Sequence, residues 1–304
     1  MSLFATYAPA ATPVPLQVLA PPGINGPALA SIDTLSPAET LRRIEAAVSS
    51  GTGQWEHRRD RGVLRLSGED RTSFLQGLVT ADLRQLAPDR PLWAALLTPQ
   101  GKYLHDFFLI AQDETILIDA EAARLDDLAR RLSLYRLRAK VRIEPLPDWG
   151  VAVAWGPDLP AAIEGGLAYR DPRRPELGLR LLAPRAALDG ESHIKGESGG
   201  WDRLRLYLGV PDGSRDLVPE KSILMENGFD ELGAIAWDKG CYIGQELTAR
   251  TKYRGLLRKR LLPVAFEGPV LAPCSPVVTA EGKERGEIRS GIDGLALALL
   301  RLGD

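Results

Sequence analysis

Cysteine and histidine are scarce in this sequence of 304 residues, which contains two cysteines and three histidines. Cys241 and Cys274 are too few for a disulfide scaffold, and a metal site usually needs three or four closely spaced ligands. His57, His105 and His193 are scattered along the chain and do not supply that spacing. We therefore predict no resident metal site, and a reducing cytoplasmic setting is the simplest expectation.

Long apolar runs and an excess of either charge are also lacking. With 38 basic and 40 acidic residues the formal net charge is -2, which argues against a general nucleic-acid coat but permits a local basic stripe. No run approaches the ~20 apolar residues that a bilayer span requires, so we expect no membrane partner.

The beginning of the chain is rich in alanine and proline. It lacks the basic region of a secretory signal and the arginines of a mitochondrial transit peptide, so we predict a loose arm over residues 1–35. Ser36 and Glu39 then form a capping box, which predicts a helix that ends at Gly51.

Strand and helix patterns alternate irregularly in the first half of the chain. Residues 62–68 alternate in polarity and predict a strand, and two apolar runs joined around residues 99–102 predict a β-hairpin. Leu125, Leu128, Leu132 and Tyr135 share the spacing of one helix face. Because the elements lack a regular βαβ order, an α+β fold is indicated.

Composition divides the chain into three predicted parts. Turn-forming residues are frequent over 156–200, so a subdomain boundary is expected there. After residue 260, short apolar segments separated by glycine turns are typical of a small β-barrel. The predicted parts are the arm at 1–35, a core at 36–260 and a terminal barrel at 261–304.

The stretch DKGCYIGQELTAR, residues 238–250, contains the most distinctive chemistry. Cys241 follows Lys239 closely and precedes what reads as the start of a helix, and both features favour a thiolate. A thiolate there could attack an electrophile, form a transient disulfide or bind a soft metal. The alternative is a buried cysteine that acts as a small apolar side chain, with Gly244 marking a tight turn.

A basic run follows this stretch. Tyr253 is surrounded in sequence by Arg250, Lys252, Arg254, Arg258, Lys259 and Arg260. A basic stripe with an aromatic side chain can bind phosphate, so direct tRNA contact is one interpretation. A solvated surface that balances the acidic remainder of the chain is the favoured alternative.

The segment KGCYIGQELTAR, residues 239–250, resembles the signature K-G-C-[FY]-x-G-Q-E-x3-R of the YgfZ family of folate-binding proteins. Further segments that resemble this family occur in the expected order: FLQGLVTADL at 74–83, QGKYLHDFFL at 100–109, YRLRAKVRI at 135–143 and RLYLGVP at 205–211. The likeness extends from about residue 60 to the end of the chain.

This resemblance implies a multi-part fold related to the glycine-cleavage T-protein, with a central tetrahydrofolate pocket and a small carboxyl-terminal barrel. It also implies an accessory role in iron-sulfur cluster assembly or repair, with indirect support of tRNA modification. Iron-sulfur proteins or their assembly factors would be the partners. Cys241 would be the candidate catalytic residue. Its signature neighbours would be folate-binding residues: Lys239, Tyr242, Gln245, Glu246 and Arg250.

The sequence departs from the T-protein at its tandem aspartates, where it has His105 and Asp106. The resemblance implies that Asp106 contacts the pterin, since a carboxylate can accept paired N–H donors from an aminopyrimidine ring. An unspecialised residue at the edge of the hairpin is the alternative. Glu220 stands where the T-protein has a folate-binding glutamate. A folate-dependent aminomethyl transferase is the alternative function, and whether the protein is an enzyme stays open.

Overall fold

The chain forms two units by internal contacts, and each is described by itself. The computed structural model describes residues 3–5, 14–19, 54–156, 159–160, 162–190, 199–255, 257–267, 270–292 and 294–303. The barrel unit comprises Met1–Ser50, Gly199–Glu231 and Thr248–Asp304, and the sheet unit comprises Gly51–Ser198 and Leu232–Leu247. The helix predicted to follow Ser36 lies outside the described residues.

Strands and helices are interspersed along the chain, as expected for an α+β fold. The strands are β1 (Leu3–Ala5), β2 (Val14–Val18), β3 (Gln54–His57), β4 (Arg61–Ser67), β5 (Leu92–Leu97), β6 (Tyr103–Gln112), β7 (Thr115–Glu121), β8 (Arg142–Pro145), β9 (Trp149–Trp155), β10 (Leu167–Arg170), β11 (Leu179–Pro184), β12 (Lys259–Phe266), β13 (Pro276–Thr279), β14 (Glu284–Ile292) and β15 (Leu295–Arg301). The α-helices are α1 (Arg71–Gln76), α2 (Leu125–Tyr135), α3 (Arg185–Gly190), α4 (Gly200–Tyr207) and α5 (Gln245–Tyr253). Short 3-10 turns lie at Leu83–Gln85, Ala122–Arg124, Pro175–Leu177, Gly213–Arg215 and Leu224–Asn227.

Two antiparallel sheets form the sheet unit, one with the strand order β5-β6-β7-β4-β8 and one with the order β10-β11-β9-β3. Helices α1 and α2 contribute Phe74, Leu75, Leu128 and Leu132 to a core that contains apolar side chains of the first sheet. The predicted helix stripe is confirmed for Leu128 and Leu132, and Leu125 packs against the same core while partly buried. Tyr135 is exposed because it is the last residue of the helix.

The predicted hairpin joins β5 to β6. The amide of Gly101 donates to the carbonyl oxygen of Thr98 at 2.8 Å, and the amide of Thr98 donates to that of Lys102 at 2.8 Å. Gly101 has φ +78°, a left-handed conformation that glycine adopts without steric cost. The turn residues therefore end the strand where the sequence predicts it.

A closed barrel with the strand order β1-β13-β14-β15-β12-β2 forms the barrel unit. The predicted terminal barrel is present, but the structure differs from the predicted arm because residues 3–5 and 14–18 are strands of this barrel. Leu3 pairs with Thr279 and Val18 pairs with Val264, so these strands cover the edges of β13 and β12. Closure satisfies backbone groups that an open edge would leave unpaired. Within the described ranges, no helix is both long and apolar enough to cross a membrane.

Candidate functional site

The cysteine of the signature stretch lies on the surface of the sheet unit. Cys241 is exposed and reduced, and it precedes helix α5, which begins at Gln245. The alternative of a buried apolar cysteine is therefore wrong. An exposed thiol can reach a reagent, a cluster or a partner protein.

Lys239 anchors the segment that carries this thiol. Its side chain is buried, and Nζ donates to the carbonyl oxygens of Val79 at 2.7 Å and of Ala81 at 2.5 Å. Burial lowers the pKa of Lys239 to about 8, because the charged form loses hydration. The same ammonium lies 5.2 Å from the ring centroid of Tyr242. Its hydrogen bonds thus fix the backbone of the signature stretch.

Two glycines allow the hairpin turn to contact the signature stretch. Gly244 has φ +79°, and a Cβ atom there would lie 2.5 Å from the carbonyl oxygen of Thr98 and 2.8 Å from Cβ of Leu97. A Cβ atom on Gly101 would lie 2.7 Å from the carbonyl oxygen of Gly244. Backbone packs directly on backbone here, so a larger residue at either glycine would force the two turns apart.

Gln245, the first residue of α5, closes the turn that precedes this helix. Its Oε1 accepts a hydrogen bond from the amide of Tyr242 at 3.1 Å, and the amide of Ile243 donates to the carbonyl oxygen of Gly77 at 3.2 Å. Glu246 is exposed in the first turn of α5, where a negative charge interacts favourably with the helix dipole. These contacts give the signature residues Tyr242 and Gln245 structural roles in shaping the turn.

Thr80 connects the segment just before the signature stretch to the edge of the first sheet. Its Oγ1 accepts from the amide of Ala95 in β5 at 2.9 Å and donates to the carbonyl oxygen of Ala234 at 2.6 Å. The amide of Ala236 donates to the carbonyl oxygen of Thr80 at 3.0 Å. Ala95 lies opposite Asp106 of β6 in the strand register, so Thr80 binds the strand that neighbours Asp106. Sequence reasoning missed Thr80 because nothing local distinguishes it.

Asp106 is buried and held by two hydrogen-bond donors. Trp93 Nε1 donates to its Oδ2 at 3.0 Å, and the Tyr103 hydroxyl donates to its Oδ1 at 2.8 Å. Burial, followed by the negative charge of Asp106, raises the pKa of Tyr103 well above its usual value. Tyr103 is therefore a neutral donor that orients the carboxylate.

A β-bulge explains how Tyr103 reaches Asp106. Opposite β5, Leu96 pairs with His105 and Leu97 pairs with Tyr103, so one extra residue lies between them on β6. The extra residue turns Tyr103 to the face of Asp106, whereas regular alternation would place it on the opposite face. Bulges of this kind re-aim side chains beside functional sites.

His105 does not share the environment of Asp106. It is buried, and Nε2 lies 2.9 Å from Oδ2 of Asp127. Burial lowers the pKa of His105 to about 4, and the positive charge of Arg124 acts in the same direction. The ring is therefore neutral at pH 7, so this position differs in charge from the T-protein aspartate that the resemblance implies.

An arginine and two aromatic rings adjoin Asp106. The guanidinium carbon of Arg173 lies 5.4 Å from the ring centroid of Trp93 and 4.7 Å from that of Phe108. Asp171 binds Arg173 through its carboxylate, with Nη2 and Oδ2 separated by 2.7 Å. Sequence reasoning missed Trp93 and Arg173, although an aromatic residue opposite the hairpin strand was a usable signal.

The remaining predicted site residues belong to the barrel unit. Glu220 is exposed and has φ +64°, and Arg250 is exposed within α5. The predicted basic stripe is divided: Tyr253, Arg254 and Arg258 are exposed, whereas Arg260 is buried and donates to a backbone carbonyl. In the part of the chain that the structure describes, no three or more metal-ligating side chains come together to hold a metal ion.

The fold of this chain is that of an aminomethyltransferase. The crystal structure of glycine cleavage system aminomethyltransferase T from Bartonella henselae superimposes with a TM-score of 0.70, covering 98% of this chain and 86% of that chain. The two sequences are 15% identical, so the superposition shows a shared fold and nothing further. Residues 258–304 also match the family model of the CAF17 carboxyl-terminal β-barrel domain. These findings define a T-protein-like fold with a CAF17-type terminal barrel.

Curated relatives narrow this class to one family. The mitochondrial iron-sulfur cluster assembly factor IBA57 of Mus musculus is 35% identical over 79% of this chain and 75% of its own length. The human protein is also 35% identical with the same coverage, and the homologue of Pyricularia oryzae is 34% identical over 80% of this chain and 70% of its own length. The chain therefore belongs to the IBA57 family of iron-sulfur cluster assembly factors.

The comparisons confirm the inferred relation to an iron-sulfur assembly factor and to the T-protein. They also correct one expectation. The relatives are named as mitochondrial proteins, so the prediction of a cytoplasmic protein is wrong. It rested on cysteine content, which indicates a reducing environment without distinguishing between compartments.

Proposed function

We propose that this protein is a tetrahydrofolate-binding accessory factor for iron-sulfur cluster assembly or repair, of the kind that the YgfZ resemblance implies, and that it supports tRNA modification indirectly. The observation that carries the proposal is an exposed thiol on a rigid turn. Cys241 is exposed, while Lys239 and Gly244 fix the backbone on both sides of it. A fixed thiol keeps its direction when a partner approaches.

The cluster is the cargo of this proposed reaction. One thiolate cannot hold a cluster, which requires about four protein ligands, so the other ligands must come from a partner. An iron-sulfur protein or an assembly factor would supply them. Cys241 would then complete the coordination of a cluster at the contact between the two proteins.

The orientation of the Asp106 carboxylate supports the folate half of the proposal. A carboxylate offers about four acceptor sites, and Trp93 and Tyr103 orient the two oxygens of Asp106. An aminopyrimidine ring presents paired N–H donors that match such a carboxylate. Glu220, Glu246 and Arg250 remain further candidates for folate contacts. Folate would supply recognition or one-carbon chemistry when bound.

Calorimetric titration of tetrahydrofolate tests the folate half of the proposal. We expect binding to the wild type and to Cys241→Ala, and at least about tenfold weaker binding to Asp106→Asn, since a charge-assisted pair is lost. Asparagine matches aspartate in shape, so the fold should persist. A wild type that does not bind would refute folate recognition and leave the cluster proposal to be tested separately.

The aminomethyl transferase remains the alternative function because the fold is shared with aminomethyltransferase T. Transfer of the aminomethyl group from a donor to bound tetrahydrofolate would support it. We expect binding without turnover, since a neutral His105 occupies one of the two aspartate positions.

A further inference from the structure

Basic residues are concentrated around the end of helix α2. Residues 130–142 have the sequence RRLSLYRLRAKVR, which contains six basic residues and no acidic residue in a chain of net charge -2. Asp127 binds Arg130 and Arg131, Glu69 binds Lys140, and Glu144 binds Arg142. Among the residues that the structure describes, the guanidinium groups of Arg136 and Arg138 make no ion pair or hydrogen bond. Two charges therefore face solvent uncompensated.

The same segment exposes large apolar side chains. All six residues from 133 to 138, which we call the α2 tip, are exposed. The exposed fraction reaches 66% for Leu134 and 89% for Leu137, values that require a protruding surface. Tyr135 lies between them and is 38% exposed. A surface that combines such leucines with free arginines is apolar and cationic at once.

The backbone conformation of the tip indicates that the Leu137 side chain does not stabilise the fold. Leu137 has φ +42°, a left-handed conformation that favours glycine or asparagine. The amide of Ala139 closes this turn by donating to the carbonyl oxygen of Arg136 at 2.7 Å. A leucine in a strained conformation that buries almost none of its side chain adds nothing to the core. Its apolar surface is available to an external partner.

We propose that the α2 tip docks on an anionic lipid surface. Leucine and tyrosine side chains enter the boundary between headgroups and acyl chains, and arginines attract anionic headgroups while their stems extend along apolar surface. The expectation of no membrane partner rested on the lack of a spanning segment, and surface docking needs none.

Two other classes of partner fit the tip less well. A stable protein interface uses about 20–30 residues on each side, whereas the tip has six. Single-stranded RNA is held by aromatic stacking and phosphate contacts. Tyr135 and the two arginines suit such contacts, but Leu134 and Leu137 have neither aromatic rings nor donors and would stay exposed to water. A lipid surface accepts a small convex contact, because each inserted or charged side chain contributes separately.

Vesicle flotation tests the proposal with the full chain. Phosphatidylcholine vesicles with and without phosphatidylglycerol are the probes, and we expect the protein to float only with the anionic ones. Arg136→Glu with Arg138→Glu should weaken this partition by about 25-fold or more, at about fivefold for each lost charge. Leu134→Ser with Leu137→Ser should weaken it by about tenfold, since apolar insertion is lost.

Arg254→Glu with Arg258→Glu is the matched control, because it makes the same change of charge on the exposed basic residues near Tyr253. We expect the control to float like the wild type. Equal loss in the control would overturn the proposal, and so would a wild type that ignores anionic vesicles. A leucine variant that floats normally would reassign the tip to soluble polyanions such as RNA. If the wild type stays in solution and the leucine variant abolishes self-association, the tip is a protein contact.

The proposal does not depend on folate or cluster chemistry. Tetrahydrofolate titration into the Leu134→Ser and Leu137→Ser double variant should match the wild type. Loss of lipid binding with normal folate binding, or the reverse, therefore separates the two proposals.

Discussion

Two regions of the sheet unit use charged side chains in opposite ways. Around Asp119 the charges satisfy one another: Arg61 Nε donates to Oδ1 at 2.7 Å, and Arg180 Nη2 donates to Oδ2 at 2.6 Å, with all three side chains buried. In the signature stretch, the ammonium of Lys239 donates hydrogen bonds to the backbone carbonyls of Val79 and Ala81. The carboxylate of Asp119 is bound by buried arginines, whereas the signature stretch exposes Cys241 to solvent.

The difference distinguishes polar groups that neutralise one another inside the fold from polar groups that hold a candidate site in place. Burial alone would raise the pKa of Asp119, but the positive charges of Arg180 and Arg61 lower it below the usual value, so the carboxylate stays ionised within a balanced cluster. The oxygens of Asp119 already accept hydrogen bonds from these arginines, so this carboxylate is not available to bind a ligand. The signature stretch uses its polar groups to fix a turn, and the Cys241 thiol lies exposed at the surface.

Removal of the Asp119 carboxylate should have the largest effect on the free energy of unfolding. Asp119→Ala removes the counterion of buried Arg61 and one of the two carboxylates beside buried Arg180, so we expect the free energy of unfolding to fall by about 3–5 kcal/mol in urea titration. Glu114→Ala removes the partner of Arg71 and serves as the control, because Glu114 is 90% exposed and its loss should cost at most about 1 kcal/mol. Similar losses in both variants would contradict the comparison.

The backbone contact at Gly244 should rank second. Gly244→Ala combines a strained φ with a clash against Thr98 and Leu97, so we expect a loss of about 2–4 kcal/mol in the same titration. Gly233→Ala is the matched control, since Gly233 has φ +77° but no neighbour within 4 Å of the added Cβ atom. It should lose only about 1 kcal/mol. If both variants lose the same free energy of unfolding, the left-handed backbone alone explains the need for glycine at Gly244, and the contact with Thr98 and Leu97 does not contribute.

Replacement of the Lys239 ammonium should have a smaller effect that depends on pH. Lys239→Met removes the donors to two carbonyl groups and should cost about 1–2 kcal/mol at pH 7. The folded pKa of about 8 lies below the ordinary 10.5, so the unfolded chain binds more protons between these values. The contribution of Lys239 to the free energy of unfolding should therefore rise with pH from about 8 to 10.5, by at most about 1.4 kcal/mol per pH unit.

Urea titrations of wild type and Lys239→Met from pH 7 to about 10.5 measure this change, since subtraction cancels groups that titrate in both proteins. A neutral amine still has two N–H donors for Val79 and Ala81. A difference that shrinks as pH rises would show that the positive charge itself holds the turn.

Substitution of the exposed thiol should have the smallest effect on stability. Cys241→Ser should change the free energy of unfolding by no more than about 0.5 kcal/mol, because the side chain is exposed. Repair of a damaged [4Fe-4S] client, followed by visible absorbance, should nevertheless be lost. Cys274→Ser is the control, since Cys274 is also exposed and should retain repair. Equal repair by both variants would remove Cys241 from the proposed chemistry.

Features that depend on neighbours in sequence were predictable. The turn at residues 99–102 and the turn at Gly244 follow from glycine in left-handed conformations. The buried stripe of α2 follows from leucines one turn apart. The signature stretch also identified Cys241 as the residue of interest.

Features that depend on distant partners were not predictable. Lys239 and Val79 are 160 positions apart, and His105 and Asp127 are 22 positions apart. A lysine near a cysteine favoured thiolate activation, yet the carbonyl groups that the ammonium binds carry no sequence signal. The bulge that brings Tyr103 to Asp106 likewise depends on the pairing of β5 with β6.

By itself, the sequence determined the α+β class, the hairpin and the barrel strands after residue 260, because local periodicity and turn chemistry specify each of them. The resemblance to the YgfZ signature singled out the stretch that carries Cys241. Only the tertiary structure decided that β1 and β2 complete the barrel, that Cys241 is exposed and that Lys239 holds the backbone. Those outcomes depend on which distant segments meet. Backbone groups at open edges and buried charges must find partners wherever the chain supplies them.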